Sequence, residues 1–324
     1  MALRLVRAAA GPGSVEPRDP DPARWTCAFV NNMPDGAFVE TERQFLDLLD
    51  AAAGSETVEV RCYTMAGVPR GERTVGHIGA AYAPATRIGD NQADLLIVTG
   101  SEPIATEIED EPYWGQLVEL LEWGSEHTGS MLLSCLAAHA ALAVFDGVAR
   151  VRLAAKCTGV FPQLADDADP LTAGLPAPVV LPHSRLNDVP LDAVCEAGYH
   201  VGLYSMAVGW SVISKAIGRT NAVLVQGHPE YEPQSLLGEY RRDVRRYVQR
   251  ERDGMPCLPL NCAGPGDWEL LVRLQQGLED GERDPSLMDG VPFDEAGARA
   301  PWPWRAAATK LYANWLAGVD TRSD

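Results

Sequence analysis

The 324-residue sequence predicts an α/β fold, an open and mostly parallel sheet flanked by helices, on three observations. Apolar strand-length runs alternate with helix-length amphipathic segments, the pattern of parallel strands joined by crossover helices. One run, Asp94-Leu-Leu-Ile-Val-Thr99, is almost wholly apolar, as a strand covered on both faces must be. Three such runs end in polar or reactive turns: Gly100-Ser101, Cys135, and Gly227-His228-Pro229-Glu230. In open α/β sheets the ligand site lies beyond the carboxyl ends of the strands.

Taken in order, residues 1–23 are rich in Ala, Gly, Pro and Asp and read as a flexible arm. Arg24–Val30 is a first strand, followed by a turn at Asn31-Asn-Met-Pro34. A helix from about Val39 to Ala53 carries Phe45, Leu46, Leu48 and Leu49 on its apolar face. Thr57–Tyr63 is a second strand, and residues 64–92 read as loop. After the Asp94–Thr99 strand come a helix over about Tyr113–Glu126, a strand at Ser130–Ser134 and a helix over Leu136–Val144. From Val151 to Ala207 the pattern changes to shorter strands and turns, with candidates at Val179–Leu181 and His200–Tyr204. Ala222–Gln226 is a late buried strand, and a charged helix follows over about Pro233–Arg250. The main α/β domain thus spans residues 24–252. Residues 253–302 read as an extended Pro/Gly/acidic insertion with one amphipathic piece at Trp268–Leu278, and residues 303–324 as a C-terminal helix that packs on the main domain.

Composition narrows the function classes. A net charge of −18 disfavours gripping nucleic acid or an anionic membrane by general electrostatics. No apolar run approaches the roughly 20 residues of a membrane-spanning helix, and the N-terminus lacks the apolar core of a signal peptide. A cytoplasmic protein is expected. The seven cysteines are scattered, odd in number and without a CxxC pair, so neither a disulfide framework nor a metal site is expected.

Cys135 stands where an apolar run meets a helix, with Ala137 and Ala138 just behind it. A strand–turn–helix elbow crowds the backbone and needs such small neighbours. The amides opening the next helix favour both a thiolate and an oxyanion. Read alone, Cys135 is equally a buried structural thiol. A cysteine nucleophile needs a base, and the base needs an orienting acceptor. His228 and Glu230, at another strand end, supply both types. His139 and His183 read as structural.

Ordered motifs extend this picture. They are Asn31-x-Met33-Pro34, Glu40-Thr-Glu-x-Gln-Phe-Leu46, Leu96-Ile-Val-Thr-Gly100, Tyr113-Trp114 and Glu122-Trp123. Then come Cys135-x-Ala-x-His139-Ala-Ala-Leu142, Lys156-x-x-Gly159-Val160, Pro182-His-Ser-Arg185, Gly227-His-Pro-Glu-Tyr231, Glu239-Tyr-x-Arg242-Asp243 and Asn314-Trp-Leu316. With these, the chain resembles the homoserine O-succinyltransferase (transsuccinylase) family of homoserine O-acyltransferases. That resemblance implies a class I glutamine-amidotransferase-like (flavodoxin-like) three-layer sandwich. It implies ping-pong transfer of an acetyl or succinyl group to homoserine, or to a related amino acid such as serine. Acetyl-CoA or succinyl-CoA is then a co-substrate, no cofactor is held, and the assembly is a homodimer.

The family roles carry over residue by residue. Cys135 is the nucleophile, His228 the base and Glu230 its orienting carboxylate; Leu136 and Ser101 form the oxyanion hole. Lys156, Ser184 and Arg242 line the acceptor pocket, Arg242 pairing with the acceptor's carboxylate. Ile104 falls where the family separates succinyl from acetyl donors, and its bulk favours acetyl. The chain departs from the family pattern after Met33-Pro34, where Asp35-Gly36 replaces basic residues, and in its long 253–302 segment. The alternatives are a glutamine amidotransferase or glutaminase using the same triad, a divergent paralogue in specialised amino-acid metabolism, or a silent binding protein. Against a glutaminase, Cys135 lacks flanking glycines.

Overall fold

A computed structural model describes residues 3–6, 23–280 and 283–319. Its elements, in chain order, are β1 Leu3–Val6, β2 Trp25–Val30, α1 Phe38–Ala53, β3 Val58–Thr64, α2 Glu72–Ala81, β4 Tyr82–Pro84, β5 Leu95–Val98, α3 Trp114–His127, β6 Ser130–Ser134, α4 Leu136–Asp146, β7 Val151–Pro162, β8 Leu164–Ala165, β9 Val180–Asp188, α5 Leu191–Glu196, β10 His200–Ser205, β11 Gly209–Ile217, β12 Thr220–Val225, α6 Ser235–Val248, α7 Pro265–Glu279, α8 Phe293–Arg299 and α9 Arg305–Ala317.

The main sheet runs in the order β1-β3-β2-β5-β6-β12-β11-β10-β8, with β4 beside β3. From β1 to β12 every pairing is parallel; β12 to β8 closes the sheet with antiparallel strands. The parallel centre is apolar because helices cover both faces, and all four residues of β5 are buried. Two cores result. One joins α1, α6, α7, α8 and α9 to a face of the sheet; the other joins α3 and α4 to the opposite face. This is the three-layer α/β sandwich that the sequence predicts.

Local chemistry sets the helix limits. Helix α4 is buried on every side from Leu136 to Leu142, and all of these residues but His139 are apolar. Gly147, left-handed at φ 66°, stops it, its amide bonding the Ala143 carbonyl at 3.1 Å. Helix α6 buries Leu236, Leu237, Tyr240, Val244 and Tyr247, and its arginines fall on the other side.

Four expectations change. Within the arm, Leu3–Val6 forms an edge strand paired with Val58–Arg61; residues 1–2 and 7–22 lie outside the described residues. Residues 64–92, expected as loop, hold α2 and β4. The glycines in α2 weaken the helical pattern in the sequence, and most of that helix stays exposed. In 151–207, the twelve-residue β7 pairs with β9 as a separate antiparallel ribbon, with a register shift between Arg152 and Cys157 that hides its regular alternation.

The fourth change is the 253–302 insertion, part of which is built into the core. Leu271, Leu274 and Leu278 of α7 and Phe293 and Ala296 of α8 join the first cluster. The Pro, Gly and acidic composition belongs mostly to the connectors. Leu260 lies alongside Gly159 of β7, with Val160 N to Leu260 O at 2.8 Å and Leu260 N to Thr158 O at 3.1 Å. Helix α9 packs across α1, and Trp315 Nε1 donates to Ser130 Oγ at 2.8 Å.

The contact between Gly159 and Leu260 is sterically demanding. Gly159 has φ +142°, and a Cβ there would come 2.6 Å from the Leu260 carbonyl oxygen. Gly159→Ala should cost roughly 1–3 kcal/mol, read as a lowered urea midpoint. A variant as stable as the wild type would show that the 253–262 stretch is not held against the ribbon.

Candidate active site

Three adjacent parallel strands bring their carboxyl ends together. The register sets Val98 of β5 beside Leu133 of β6, and Ser134 of β6 beside Val225 of β12. The residues that follow are Gly100-Ser101, Cys135 and Gly227-His228. Cys135 sits at φ 49° and ψ −104°, in the left-handed region that non-glycine residues seldom occupy. Its amide donates to the Val225 carbonyl at 2.7 Å, so the elbow is tied to the strand that leads to His228. Gly100 closes in from the other side: a Cβ there would stand 3.2 Å from Cys135 Cβ and 3.7 Å from Leu136 N. As the first residue of α4, Leu136 has an amide with no partner in its own helix.

His228 is buried and its amide bonds the Pro182 carbonyl at 2.8 Å. Nδ1 meets Glu230 Oε1 at 2.8 Å. Among the described residues, Nε2 is buried without a hydrogen-bond partner, and Cys135 is among the groups that act on the ring. Burial alone pulls the imidazole pKa down, but the Glu230 carboxylate and Cys135 hold it well above 6.5. A cation beside the sulfur is the setting in which cysteine acts as a thiolate. The Tyr231 ring stacks on the imidazole at 4.3 Å and 19°. The other two buried histidines are structural. His139 Nε2 lies 2.9 Å from Gln226 Oε1 and His183 Nε2 3.0 Å from Ser211 Oγ. Burial lowers the pKa of both, that of His139 to about 4.

These groups open into a cavity of about 860 Å³. Cys135, Leu136, Ser101, His228, Glu230, Lys156, Ser184 and Arg242 all line it. Lys156 and Ser184 come from the ribbon, where Thr158 pairs with Ser184 and Lys156 lies two residues earlier. Lys156 Nζ reaches Glu239 Oε2 at 2.8 Å and Asp243 Oδ2 at 3.0 Å; Ser184 Oγ donates to the same Glu239 oxygen. Tyr231 Oη donates to the other. Although burial opposes it, Lys156 and Arg242 hold the Glu239 pKa down at about 2. Arg242, half-buried, rests its Nη2 3.2 Å from Asp243 Oδ1.

Ile104 does not behave as expected. Its side chain is exposed and absent from the cavity wall. Its amide and that of Ala105 donate to the buried Glu111 carboxylate at 3.0 and 3.1 Å, which turns the side chain outwards. Glu102 and Pro103 face the cavity instead. The steric case for a small acyl group therefore loses its residue.

Sequence reasoning assigned no role to Tyr231, Glu239, Asp243, Glu40 or Arg150, all of which line the cavity. Two were within reach. Tyr231 follows His228 by three positions, and Glu239 shares a helical face with Arg242 and Asp243 at i+3 and i+4. Among the described residues, no three His, Cys, Asp or Glu side chains cluster as a metal site requires, and no helix is long and apolar enough to cross a membrane.

A family model described as homoserine O-succinyltransferase matches residues 19–322. The chain is 38% identical to the homoserine O-succinyltransferase of Rhodopseudomonas palustris, over 89% of this chain and 86% of that one. It is 37% identical to the protein of that name from Methylorubrum extorquens, over 96% and 92%. Among solved structures, that of SMU.1228c superposes with a TM-score of 0.50 at 14% identity, covering 91% of this chain and all of that one, which is a likeness of fold.

Folding raises the pKa of His228 above 6.5. The stability this gives is therefore full below the unfolded value and is lost as pH rises through the folded one. Glu230→Gln removes the main cause. The stability gap between wild type and variant, from denaturant midpoints, should be widest near about pH 6 and narrow as pH rises. A gap that grows with pH would contradict the pairing.

Proposed function

The chain belongs to the homoserine O-succinyltransferase family, and we propose that it moves the acyl group of an acyl-CoA, succinyl-CoA first, to the side-chain hydroxyl of homoserine through a thioester on Cys135. The carrying observation is the strained Cys135 elbow facing the His228–Glu230 pair within one cavity.

The chemistry follows from the groups present. The Cys135 thiolate attacks the thioester carbonyl, and the oxyanion rests on the Leu136 amide at the start of α4 and on the Ser101 side of the hole. The carbon–sulfur bond to CoA breaks, and His228 returns the cysteine's proton to the departing thiolate. Exchange of one thioester for another is nearly isoenergetic. In the second half-reaction His228 takes the acceptor's hydroxyl proton, the alkoxide attacks the acyl-enzyme, and the Cys135 thiolate leaves. Glu230 holds the imidazole in orientation throughout.

Arg242 suits the acceptor's α-carboxylate, since a planar fork matches it and the guanidinium lines the cavity. Lys156 and Ser184 act one step back, fixing Glu239 beside it. Two features favour succinyl. The relatives carry that name. Arg150 also lines the cavity, and a guanidinium there suits a donor carboxylate.

Intact mass after incubation with succinyl-CoA or acetyl-CoA and no acceptor tests this. One acyl group should add to the wild type and none to Cys135→Ala, and the donor that reacts sets the specificity. No adduct from either donor, together with ammonia release from glutamine, would sink the reading. In steady state, Arg242→Ala should raise the acceptor KM roughly 10- to 100-fold and leave the donor KM nearly unchanged. Equal rises would remove Arg242 from carboxylate recognition.

A further inference from the structure

Six carboxylates line the cavity: Glu40, Glu102, Glu230, Glu239, Asp243 and Asp294. Five have a cationic or histidine partner. Glu102 pairs with Arg246 at 2.6 Å, Glu230 with His228 at 2.8 Å, Glu239 with Lys156 at 2.8 Å, Asp243 with Lys156 at 3.0 Å, and Asp294 with Arg241 at 2.8 Å. Glu40 is the exception. Among the described residues no Lys, Arg or His comes within ion-pair distance of it. The neighbouring Arg43 is committed to Glu232 through both of its terminal nitrogens.

Among the described residues, the one side-chain hydrogen bond to Glu40 comes from Gln44 Nε2 at 3.3 Å. Gln44 is buried and its amide nitrogen is also fixed on Ser235 Oγ at 2.8 Å. Glu40 is therefore steered but not neutralised. Burial, with Glu232 and Glu239 nearby, raises its pKa against the pull of Arg43. Its place in the first turn of α1 favours the charged form. Glu40 is exposed to the cavity, where a cationic group of a ligand can reach it.

Gln44 Nε2 bridges Glu40 to Ser235 in the first turn of α6, the helix that carries Arg242, and both Glu40 and Arg242 line the cavity. An α-amino acid carries one charge for each. We infer that Glu40 receives the α-ammonium group of the acceptor while Arg242 holds its carboxylate, so that the pair selects a zwitterion. The inference rests on the amino-acid acceptor proposed above. Glu239 is excluded from this task because Lys156, Ser184 and Tyr231 occupy both of its oxygens. No bond is made or broken at Glu40; its contribution is to specificity.

Calorimetry in a Cys135→Ala background tests the inference without donor chemistry. The probes are homoserine and 4-hydroxybutanoate, which has the same chain and no amine. Adding Glu40→Gln should weaken homoserine binding roughly 10- to 100-fold, the value of a charge-assisted contact, and change 4-hydroxybutanoate by less than about twofold. Equal weakening of both, or none for homoserine, would overturn it, as would a Cys135→Ala protein that binds no homoserine. The acyl-enzyme measurement separates the two proposals. If homoserine binding depends on Glu40 but no donor ever loads Cys135, the thioester mechanism falls and the ammonium site stands.

Discussion

The hydrogen bond from the Cys135 amide to the Val225 carbonyl, at 2.7 Å, joins the two strands on which the site depends. It holds a cysteine in a left-handed conformation that costs of order 1–3 kcal/mol. The compensation comes from neighbours. Parallel pairing of β6 with β12 brings the carbonyl to the amide, and burial of every residue in β6 keeps that pairing away from water. Gly100 leaves room for the elbow, and any side chain there would press on Cys135. Strain at Cys135 is thus held by the centre of the sheet, where the structure is most over-determined.

A second network organises the far wall. Glu239 is a largely buried anion whose two oxygens gather Lys156 and Ser184 from the ribbon and Tyr231 from the His228 turn. A buried carboxylate is tolerated only when it is paired and fully hydrogen-bonded. That requirement fixes three separate segments against α6. Tyr231 belongs to both networks, because its ring stacks on His228 while its hydroxyl serves Glu239. The His228–Glu230 pair and the Glu239 network are coupled through one side chain.

The sheet and its reactive corner were legible in the sequence because their signals are local. Four buried aliphatics in β5, an apolar run ending in Cys135, and a His-x-Glu turn each announce themselves within a few residues. The rest depends on long-range partners. Nothing near Leu260 in sequence indicates that it lies on Gly159, about a hundred positions away. The core residues of α7 and α8 are diluted among Pro, Gly and acidic connectors. Ile104 illustrates the opposite error. An ungapped alignment places it at a selectivity position, but Glu111, seven residues later, captures its amide and turns its side chain to solvent. Side-chain direction in a loop follows from such anchors, and spacing alone does not encode them.

Two indoles near the end of the chain, Trp302 and Trp304, donate to the Tyr231 carbonyl at 3.1 and 2.7 Å. Residues about seventy positions downstream thus secure the turn holding the imidazole. In a growing chain the cysteine elbow exists before those indoles do, and a product shortened ahead of them keeps the elbow without two of the ties on the His228 turn.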